Sequence, residues 1–297
     1  MTEGAAPASR ARLWLAGARP RTLGASIVPV VVGTAAAGTA TWPRTLGALA
    51  VALGFQVGVN YLNDYSDGVR GVDTAGRAGP MRLTASGVVP ARAVLAAGLG
   101  SLLVAAIAGV LLAAATSWWL LAVGGAAIVA SIGYSGGPRP YGAAGLGELS
   151  VFVFFGLVAS AGTAYVQAER ISTEAWWASV PVGLLAVAIL IANNLRDIPT
   201  DAATGKRTLA VRLGDPATRG LYRGVVLAAL LAPVAGVIAG GLPGAALLAL
   251  TAAPLAAGPW RAIGTAVGRE LVGVLQTTAM LHLQLGGMLA FGLWFGT

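Results

Sequence analysis

Most of the side chains that could do chemistry lie in two short stretches, which are rich in aspartate and hold all four asparagines of the chain. The first stretch contains Asn60, Asn63, Asp64 and Asp67, and the second contains Asn193, Asn194, Asp197 and Asp201. Carboxylate and amide oxygens, in a chain without cysteine, suit Mg²⁺, which binds through a few carboxylates together with substrate phosphates. The sequence therefore predicts a site for magnesium and a phosphorylated substrate, with the four aspartates as metal ligands.

The spacing of these residues fits helices. Three residues of the first stretch share one helical face at i, i+4 and i+7: Asn60, Asp64 and Asp67. Three of the second are spaced i, i+4 and i+8: Asn193, Asp197 and Asp201. Pro199 is expected to disturb the second helix, which makes the direction of Asp201 less secure than that of Asp197.

The charges also favour a metal that arrives with its substrate. Four carboxylates carry about −4, a diphosphate ester adds about −3, and two Mg²⁺ ions return about +4. The remaining deficit of about −3 is covered by the basic residues that follow the two stretches, which are Arg70, Arg77, Lys206 and Arg207.

The elements that must position these residues are membrane helices. Of the 297 residues, 57% are hydrophobic and only 10% are charged, far below the roughly 25% of soluble domains. A spanning helix needs about 20 apolar residues. Nine segments qualify, at about 23–40, 45–64, 92–115, 117–135, 147–168, 175–196, 221–240, 242–260 and 270–295. The sequence predicts an all-α integral membrane protein, a bundle of about nine transmembrane helices around a central cavity.

Basic residues set the orientation of this bundle. With a cytoplasmic N-terminus, all lysine and arginine residues except Arg44 and Arg170 fall inside, as the positive-inside rule requires. The arginines are scattered singly, which excludes a nucleic-acid partner despite the net charge of +8. We expect one membrane domain over 1–297, with a cytoplasmic tail at 1–20 and cytoplasmic active-site loops at 65–91 and 197–220.

These motifs resemble those of the UbiA superfamily of intramembrane prenyltransferases. The matching patterns are N-D-x-x-D at 63–67 and D-x-x-x-D at 197–201. Further stretches look like the branch that acts on 1,4-dihydroxy-2-naphthoate (MenA type), and they lie at 18–23, 63–71, 79–87, 136–148 and 193–209. The resemblance covers most of residues 18–214, whereas the last three helices are generic.

The resemblance implies a reaction and a set of site residues. A polyprenyl diphosphate would prenylate 1,4-dihydroxy-2-naphthoate in the cell membrane, on its cytoplasmic side, releasing diphosphate and CO₂ and giving demethylmenaquinone. Two Mg²⁺ ions would be held by Asp64, Asp67, Asp197 and Asp201. The predicted diphosphate-binding residues are Asn60, Asn63, Arg70, Asn193, Lys206 and Arg207.

The acceptor carries a carboxylate, so a lone arginine is expected near the cavity. Arg139 and Arg21 are the candidates, with Tyr134 and Tyr141 available for ring contacts. Glu148 begins a span and could pair with such an arginine, or serve only as an acid at a helix N-terminus. Phe152, Phe154 and Phe155 could line a groove for the prenyl tail, although aromatic residues in spans more often pack.

Other functions remain open at this point. Asp64-x-x-Asp67-Gly68 begins like the signature of CDP-alcohol phosphotransferases, but the residues that follow do not continue it. A divalent-cation channel or carrier would need acids across the whole membrane, and both motifs lie on one face. Within the superfamily, 4-hydroxybenzoate, homogentisate or a phosphoribosyl acceptor is the main alternative.

Overall fold

A computed structural model describes residues 9–71 and 82–296, apart from the side chains of Arg10 and Arg21. Every regular element in these two ranges is helical, as predicted. The α-helices are α1 (Arg10–Ala18), α2 (Gly24–Ala36), α3 (Trp42–Val69), α4 (Ala91–Ala115), α5 (Leu120–Ser135), α6 (Gly147–Val151), α7 (Ala159–Ala168), α8 (Thr173–Ala203), α9 (Leu209–Leu213), α10 (Asp215–Ile238), α11 (Ala253–Ala262) and α12 (Glu270–Phe295). A π-helical segment, Phe152–Val158, joins α6 to α7, and a 3₁₀ segment, Gly244–Ala252, leads into α11.

Six helical segments in the described part of the chain are long and apolar enough to cross a membrane. They are α3, α4, the continuous run Gly147–Ala168, α8, α10 and α12. The segments predicted at 23–40 and 117–135 form the shorter apolar helices α2 and α5, and the one predicted at 242–260 begins as a 3₁₀ helix. A count of nine spans and a cytoplasmic N-terminus therefore stay predictions.

Helix α2 packs against four other helices, α3, α7, α8 and α12. The π-helical segment approaches α8 to backbone contact, because a Cβ on Gly156 would lie 2.6 Å from the Cα of Gly183. Small residues allow such close packing between helices in lipid. Segments of π-helix are frequent at functional sites, and this one borders the cavity described below.

Both acidic motifs lie on helices rather than in loops. Helix α3 continues to Val69, and α8 continues through Pro199 to Ala203. The expected disturbance at Pro199 was wrong, because membrane helices tolerate proline and this one stands only one turn before the helix end. The segments predicted as cytoplasmic loops at 65–91 and 197–220 each begin inside a helix, because α3 ends at Val69 and α8 at Ala203. Their place on the cytoplasmic side stays a prediction.

The N-terminal segment is docked and is not a free tail from residue 10 onwards. The hydroxyl of Tyr61 donates a hydrogen bond to the carbonyl of Trp14 over 2.8 Å, and the two rings meet edge to face. Helix α1 is thereby held against α3, and the turn that follows α1 reaches the cavity.

Candidate active site

Helices α3 and α8 present their motifs to one cavity of about 620 Å³. The lining of this cavity changes from polar to apolar along the helices, and each residue advances 1.5 Å along a helix axis. Near the helix ends the lining is polar, with Arg19, Asn60, Asn63, Asp67, Arg70, Arg82, Asn193, Asn194, Asp197, Asp201 and Lys206. Deeper in the bundle it becomes apolar, with Val59, Phe154, Phe155, Ala186, Ile189 and Leu275. The cavity can therefore hold a molecule with an anionic head and an apolar tail.

One carboxylate from each motif meets at Lys206. Its Nζ lies 2.9 Å from Oδ1 of Asp67 and 3.7 Å from Oδ1 of Asp201. Asp67 lies in the last turn of α3 and Asp201 in the last turn of α8, so the two motifs face each other across a single ammonium group. Among the described residues, no group of three or more acidic or histidine side chains could hold a metal ion by itself.

Asp197 is held by its own neighbour. The guanidinium of Arg196 donates two hydrogen bonds of 2.8 Å to the two oxygens of Asp197, and both side chains are buried. Arg196 also donates to Oδ1 of Asn193 over 2.7 Å. Such a charge-assisted bidentate pair fixes the direction of the carboxylate at the cavity wall.

Asp64 was predicted as a metal ligand, but the structure does not bring it to the cavity. Its side chain is 2% exposed, and its oxygens accept hydrogen bonds from the backbone N–H groups of Leu83 (2.9 Å) and Thr84 (2.8 Å). The physical reason is that each oxygen of this carboxylate accepts a charge-assisted hydrogen bond from one of the two backbone N–H groups, and these bonds hold the side chain in a buried place. Arg82 precedes this contact and lies 3.7 Å from Asp67, so Asp64 positions a cation beside the cavity.

Gly68 lets this loop approach the end of α3. A Cβ at Gly68 would lie 2.5 Å from Cβ and Cγ2 of Thr84, closer than real atoms come. Asp64 and Gly68, one turn apart, therefore hold the segment that contains Leu83 and Thr84 against the end of α3. The Asp-x-x-Asp-Gly pattern serves loop docking as well as the cavity.

The predicted diphosphate-binding asparagines line the cavity in different ways. Nδ2 of Asn60 donates to the carbonyl of Ala18 over 2.9 Å, which fixes the turn that carries Arg19. Oδ1 of Asn63 is buried and has no hydrogen-bond partner among the described atoms. Arg70 also lines the cavity, and it donates to the carbonyl of Gly137.

Two tyrosines predicted to contact the acceptor line the opposite wall. The rings of Tyr134 and Tyr141 meet edge to face with centroids 5.5 Å apart. The hydroxyl of Tyr141 donates to the carbonyl of Ala130 over 2.8 Å and lies 3.1 Å from Oγ of Ser150. Burial raises the pKa of Tyr141 above its ordinary value, although the hydrogen bond with Ser150 acts in the opposite direction. The phenol therefore stays protonated at neutral pH.

Glu148 does pair, but with an amide rather than with an arginine. Its Oε1 accepts a hydrogen bond of 2.9 Å from Nδ2 of Asn194, which lines the cavity. The side chain of Glu148 is 8% exposed. A partner on α8 was not foreseen, because nothing in the sequence relates residues 46 positions apart.

Two predicted basic residues do not reach the cavity. Arg139 and Arg207 are exposed and absent from its lining, although Pro138 and Pro140 on either side of Arg139 contribute to it. The reason is local geometry, since the backbone N–H of Arg207 is bonded to the carbonyl of Ala143 and its side chain faces outwards. The side chain of Arg21 and all of Arg77 lie outside the described residues.

Sequence reasoning missed two cations that line the cavity, Arg19 and Arg82, and a third, Arg196, that holds Asp197 at the cavity wall. Arg196 stood inside the second motif, and its place next to Asp197 was the available signal. Arg19 has a left-handed backbone with φ of 54°, which is uncommon for a residue other than glycine. Strained residues of this kind concentrate at functional sites.

Comparison with known proteins agrees with this geometry. The model of the UbiA prenyltransferase family matches residues 26–270. The chain is 51% identical to the 1,4-dihydroxy-2-naphthoate octaprenyltransferase of Mycobacterium tuberculosis, over 94% of this chain and 97% of that protein. It is 37% identical to the enzyme of the same name from Escherichia coli, over 75% of each chain.

Solved structures share the fold. The apo structure of a UbiA homolog from Aeropyrum pernix K1 has a TM-score of 0.68 at 18% identity, over 91% of this chain and 96% of that one. A UbiA homolog from Archaeoglobus fulgidus, bound to GPP and Mg²⁺, has a TM-score of 0.60 at 13% identity, over 93% and 99% of the two chains. The paired motifs, the divided cavity and the family match lead to one assignment: this chain belongs to the UbiA prenyltransferase family.

Proposed function

We propose that this protein transfers a polyprenyl group from a polyprenyl diphosphate to 1,4-dihydroxy-2-naphthoate. Diphosphate and CO₂ leave, and the product is demethylmenaquinone, a step of menaquinone biosynthesis. The observation that carries this proposal is the pair of facing carboxylates, Asp67 and Asp201, at the polar end of a cavity whose deeper wall is apolar. The choice of acceptor is supported by the names of the most similar relatives.

The residues at the polar end fit Mg²⁺ bound together with a diphosphate. Asp67, Asp201 and Asp197 would hold the metal, and the buried, unpartnered Oδ1 of Asn63 is a further oxygen of the kind that Mg²⁺ prefers. Within residues 9–71 and 82–296, too few acidic side chains come together for a closed metal site. Substrate phosphates would complete the coordination, which is the usual arrangement for Mg²⁺, and two ions would fit the charge of the substrate. Held by these residues, Mg²⁺ would supply positive charge to the departing diphosphate.

The protein's own cations contribute to the same end. Lys206 and Arg82 lie beside Asp67, so either could turn to a diphosphate oxygen once the metal takes its place among the carboxylates. Arg196 stays with Asp197 and holds it in place. Cationic groups already aimed at the leaving diphosphate stabilise the charge that develops as the carbon–oxygen bond breaks.

The apolar tail needs a path away from this centre. A second, smaller cavity of about 190 Å³ shares Val59, Ser131, Phe154 and Phe155 with the first, and its walls are apolar. We assign it to the first isoprene units of the tail. Phe154 and Phe155 would then exclude water from the allylic cation, whereas Phe152 packs into the core.

Arg19 is the cation that we assign to the acceptor carboxylate, in place of the exposed Arg139. It lines the same cavity as Tyr134. Asn60 fixes the turn that carries Arg19. Tyr134 and Tyr141 would contact the aromatic ring.

The reaction is tested with the purified protein in lipid vesicles, Mg²⁺, a labelled polyprenyl diphosphate and a panel of aromatic acids. We expect prenylated naphthoquinol and release of CO₂, both lost when EDTA removes the metal. Prenylation of 4-hydroxybenzoate or homogentisate, with the naphthoate left unreacted, would overturn the choice of acceptor. Full activity in EDTA would overturn the role of Mg²⁺.

The site is further proposed to face the cytoplasm across the cell membrane. Basic residues concentrate at the motif side of the bundle, as the positive-inside rule predicts. The chain has no cysteine, so Ser86→Cys, in the exposed turn beside Arg82, gives a single labelling site. An impermeant maleimide should label it only after intact cells are opened, and labelling of intact cells would reverse the orientation.

A further inference from the structure

Asn193 and Asn194 are neighbours on α8 and both line the cavity, but groups of opposite hydrogen-bonding character hold their amides. Arg196 donates to Oδ1 of Asn193 over 2.7 Å, whereas Nδ2 of Asn194 donates to Oε1 of Glu148 over 2.9 Å. A guanidinium can only donate and a carboxylate can only accept. The two amides are therefore oriented in opposite senses, which leaves Nδ2 of Asn193 and Oδ1 of Asn194 for the cavity.

The two amides also serve different ends of the site. Asn193 lies one helical turn before Asp197, beside the carboxylates assigned to the metal and diphosphate. Asn194 instead bonds Glu148 at the start of α6. The neighbour of Glu148, Gly147, lies next to Tyr134, because a Cβ on Gly147 would be 3.2 Å from the hydroxyl of Tyr134. The donor thus stands near the anion, and the acceptor stands near the aromatic wall.

Glu148 is buried where it makes this contact. Its side chain is 8% exposed, its Oε1 bonds Asn194, and its Oε2 has no hydrogen-bond partner among the described atoms. Burying a carboxylate costs free energy unless it gains specific bonds. Among the described residues, the bond from Asn194 is the one side-chain hydrogen bond that this carboxylate accepts, and it fixes the orientation of the amide.

We propose that Asn194, oriented by Glu148, accepts a hydrogen bond from a ring hydroxyl of the aromatic acceptor, while Asn193 donates to the diphosphate. The inference rests on the proposed function. In 1,4-dihydroxy-2-naphthoate the hydroxyl next to the carboxylate bonds internally, so the C4 hydroxyl is the free donor. A hydrogen bond accepted from this hydroxyl raises the electron density of the neighbouring ring carbon. Glu148 acts through Asn194 and is a positioning residue.

A comparison of two ligands tests the contact. Dissociation constants are measured without oxygen for 1,4-dihydroxy-2-naphthoate and for 1-hydroxy-2-naphthoate, which lacks the C4 hydroxyl. The native protein should prefer the first by about tenfold, the usual effect of one hydrogen bond to a positioned group. Asn194→Ala should reduce this preference to about onefold, whereas the matched control Asn193→Ala should keep it and raise KM for the prenyl diphosphate instead.

An exchange of the two polar groups gives a second test. Asn194→Asp alone sets two carboxylates against each other, and Glu148→Gln alone removes the group that fixes the amide. In the double variant the new amide can donate to the new carboxylate, whose other oxygen still faces the cavity. We expect each single change to raise KM for the naphthoate about tenfold or more, and the double variant to recover most of that loss.

Two results would overturn the inference: an unchanged ligand preference in Asn194→Ala, or a double variant no better than the worse single one. Unfolding temperatures in detergent identify any variant that loses its fold. If Asn194→Ala is such a variant, the comparison of Asn194→Asp and Glu148→Gln with their double variant tests the inference instead. Failure of the proposed function is recognised separately, because the native protein would then prenylate another acceptor and leave the naphthoate unreacted.

Discussion

The ends of α3 and α8 carry the same residue types but use them differently. Asp64 is bonded to two backbone N–H groups of a docked segment, whereas Asp197 is paired with the guanidinium of the residue before it. Only Asp67 and Asp201 face each other, across Lys206. The comparison teaches that a repeated motif need not repeat a function. Each end provides one facing carboxylate, but the other aspartate of α3 holds a backbone segment, whereas that of α8 is held at the cavity wall by Arg196.

The largest effect should come from the facing pair. Asp67→Asn and Asp201→Asn each remove a charge from the site assigned to metal and diphosphate. Turnover should fall on the order of a thousandfold, because this charge is needed most as the diphosphate leaves. Prenyl transfer measured over a range of Mg²⁺ concentrations should show a raised metal requirement in both variants. A normal Mg²⁺ requirement in either variant would mean that its carboxylate does not hold the metal, so that the ends of α3 and α8 would not contribute equally.

Asp64→Asn should have a smaller effect of a different kind. The amide cannot accept from both Leu83 and Thr84 as the carboxylate does, so one buried donor loses its partner. The free energy of unfolding should fall by about 1–3 kcal/mol, as measured by chemical denaturation in detergent. Turnover should fall about tenfold through the displaced Arg82, while the Mg²⁺ concentration for half-maximal rate stays unchanged. A raised metal requirement equal to that of Asp67→Asn would return Asp64 to the metal site.

Gly68→Ala tests the same docked segment without touching a charge. The added methyl group would meet Thr84 at 2.5 Å, so the segment must move, at a cost of about 1–3 kcal/mol. Gly100→Ala is the matched control, because a Cβ at Gly100 in α4 meets nothing within 4 Å. We expect lower stability and a modest loss of turnover for the first variant only. Equal behaviour of the two variants would contradict a docking role for the start of this segment.

The sequence was sufficient for the helices and for the identity of the two motifs. Apolar runs bounded by charges gave helix positions that the structure reproduces closely, because lipid leaves a spanning segment no alternative to a helix. That the two motifs contribute to one site was also expected, from the resemblance. These features depend on local composition or on short spacing.

Contacts between distant parts of the chain could not be predicted. The bond from Asp64 to Leu83 and the one from Glu148 to Asn194 join residues on separate elements, and neither leaves a periodic signal. Arginines posed a related problem, since a cavity cation and a surface cation look alike in sequence. Only packing distinguishes Arg19, at the cavity, from Arg139, on the surface.

The smallest effects should come from the exposed cations that do not line the cavity. Arg139→Gln and Arg207→Gln remove exposed charges that do not line the cavity, so kcat and both KM values should change by less than about twofold. Arg19→Gln, by contrast, should raise KM for the naphthoate about tenfold with little change in KM for the prenyl diphosphate, because a carboxylate loses its charged partner. Steady-state kinetics with each substrate varied in turn separates the two outcomes. A tenfold rise in KM for the naphthoate in Arg139→Gln, with Arg19→Gln normal, would move the acceptor carboxylate to Arg139, between the two prolines that already line the cavity.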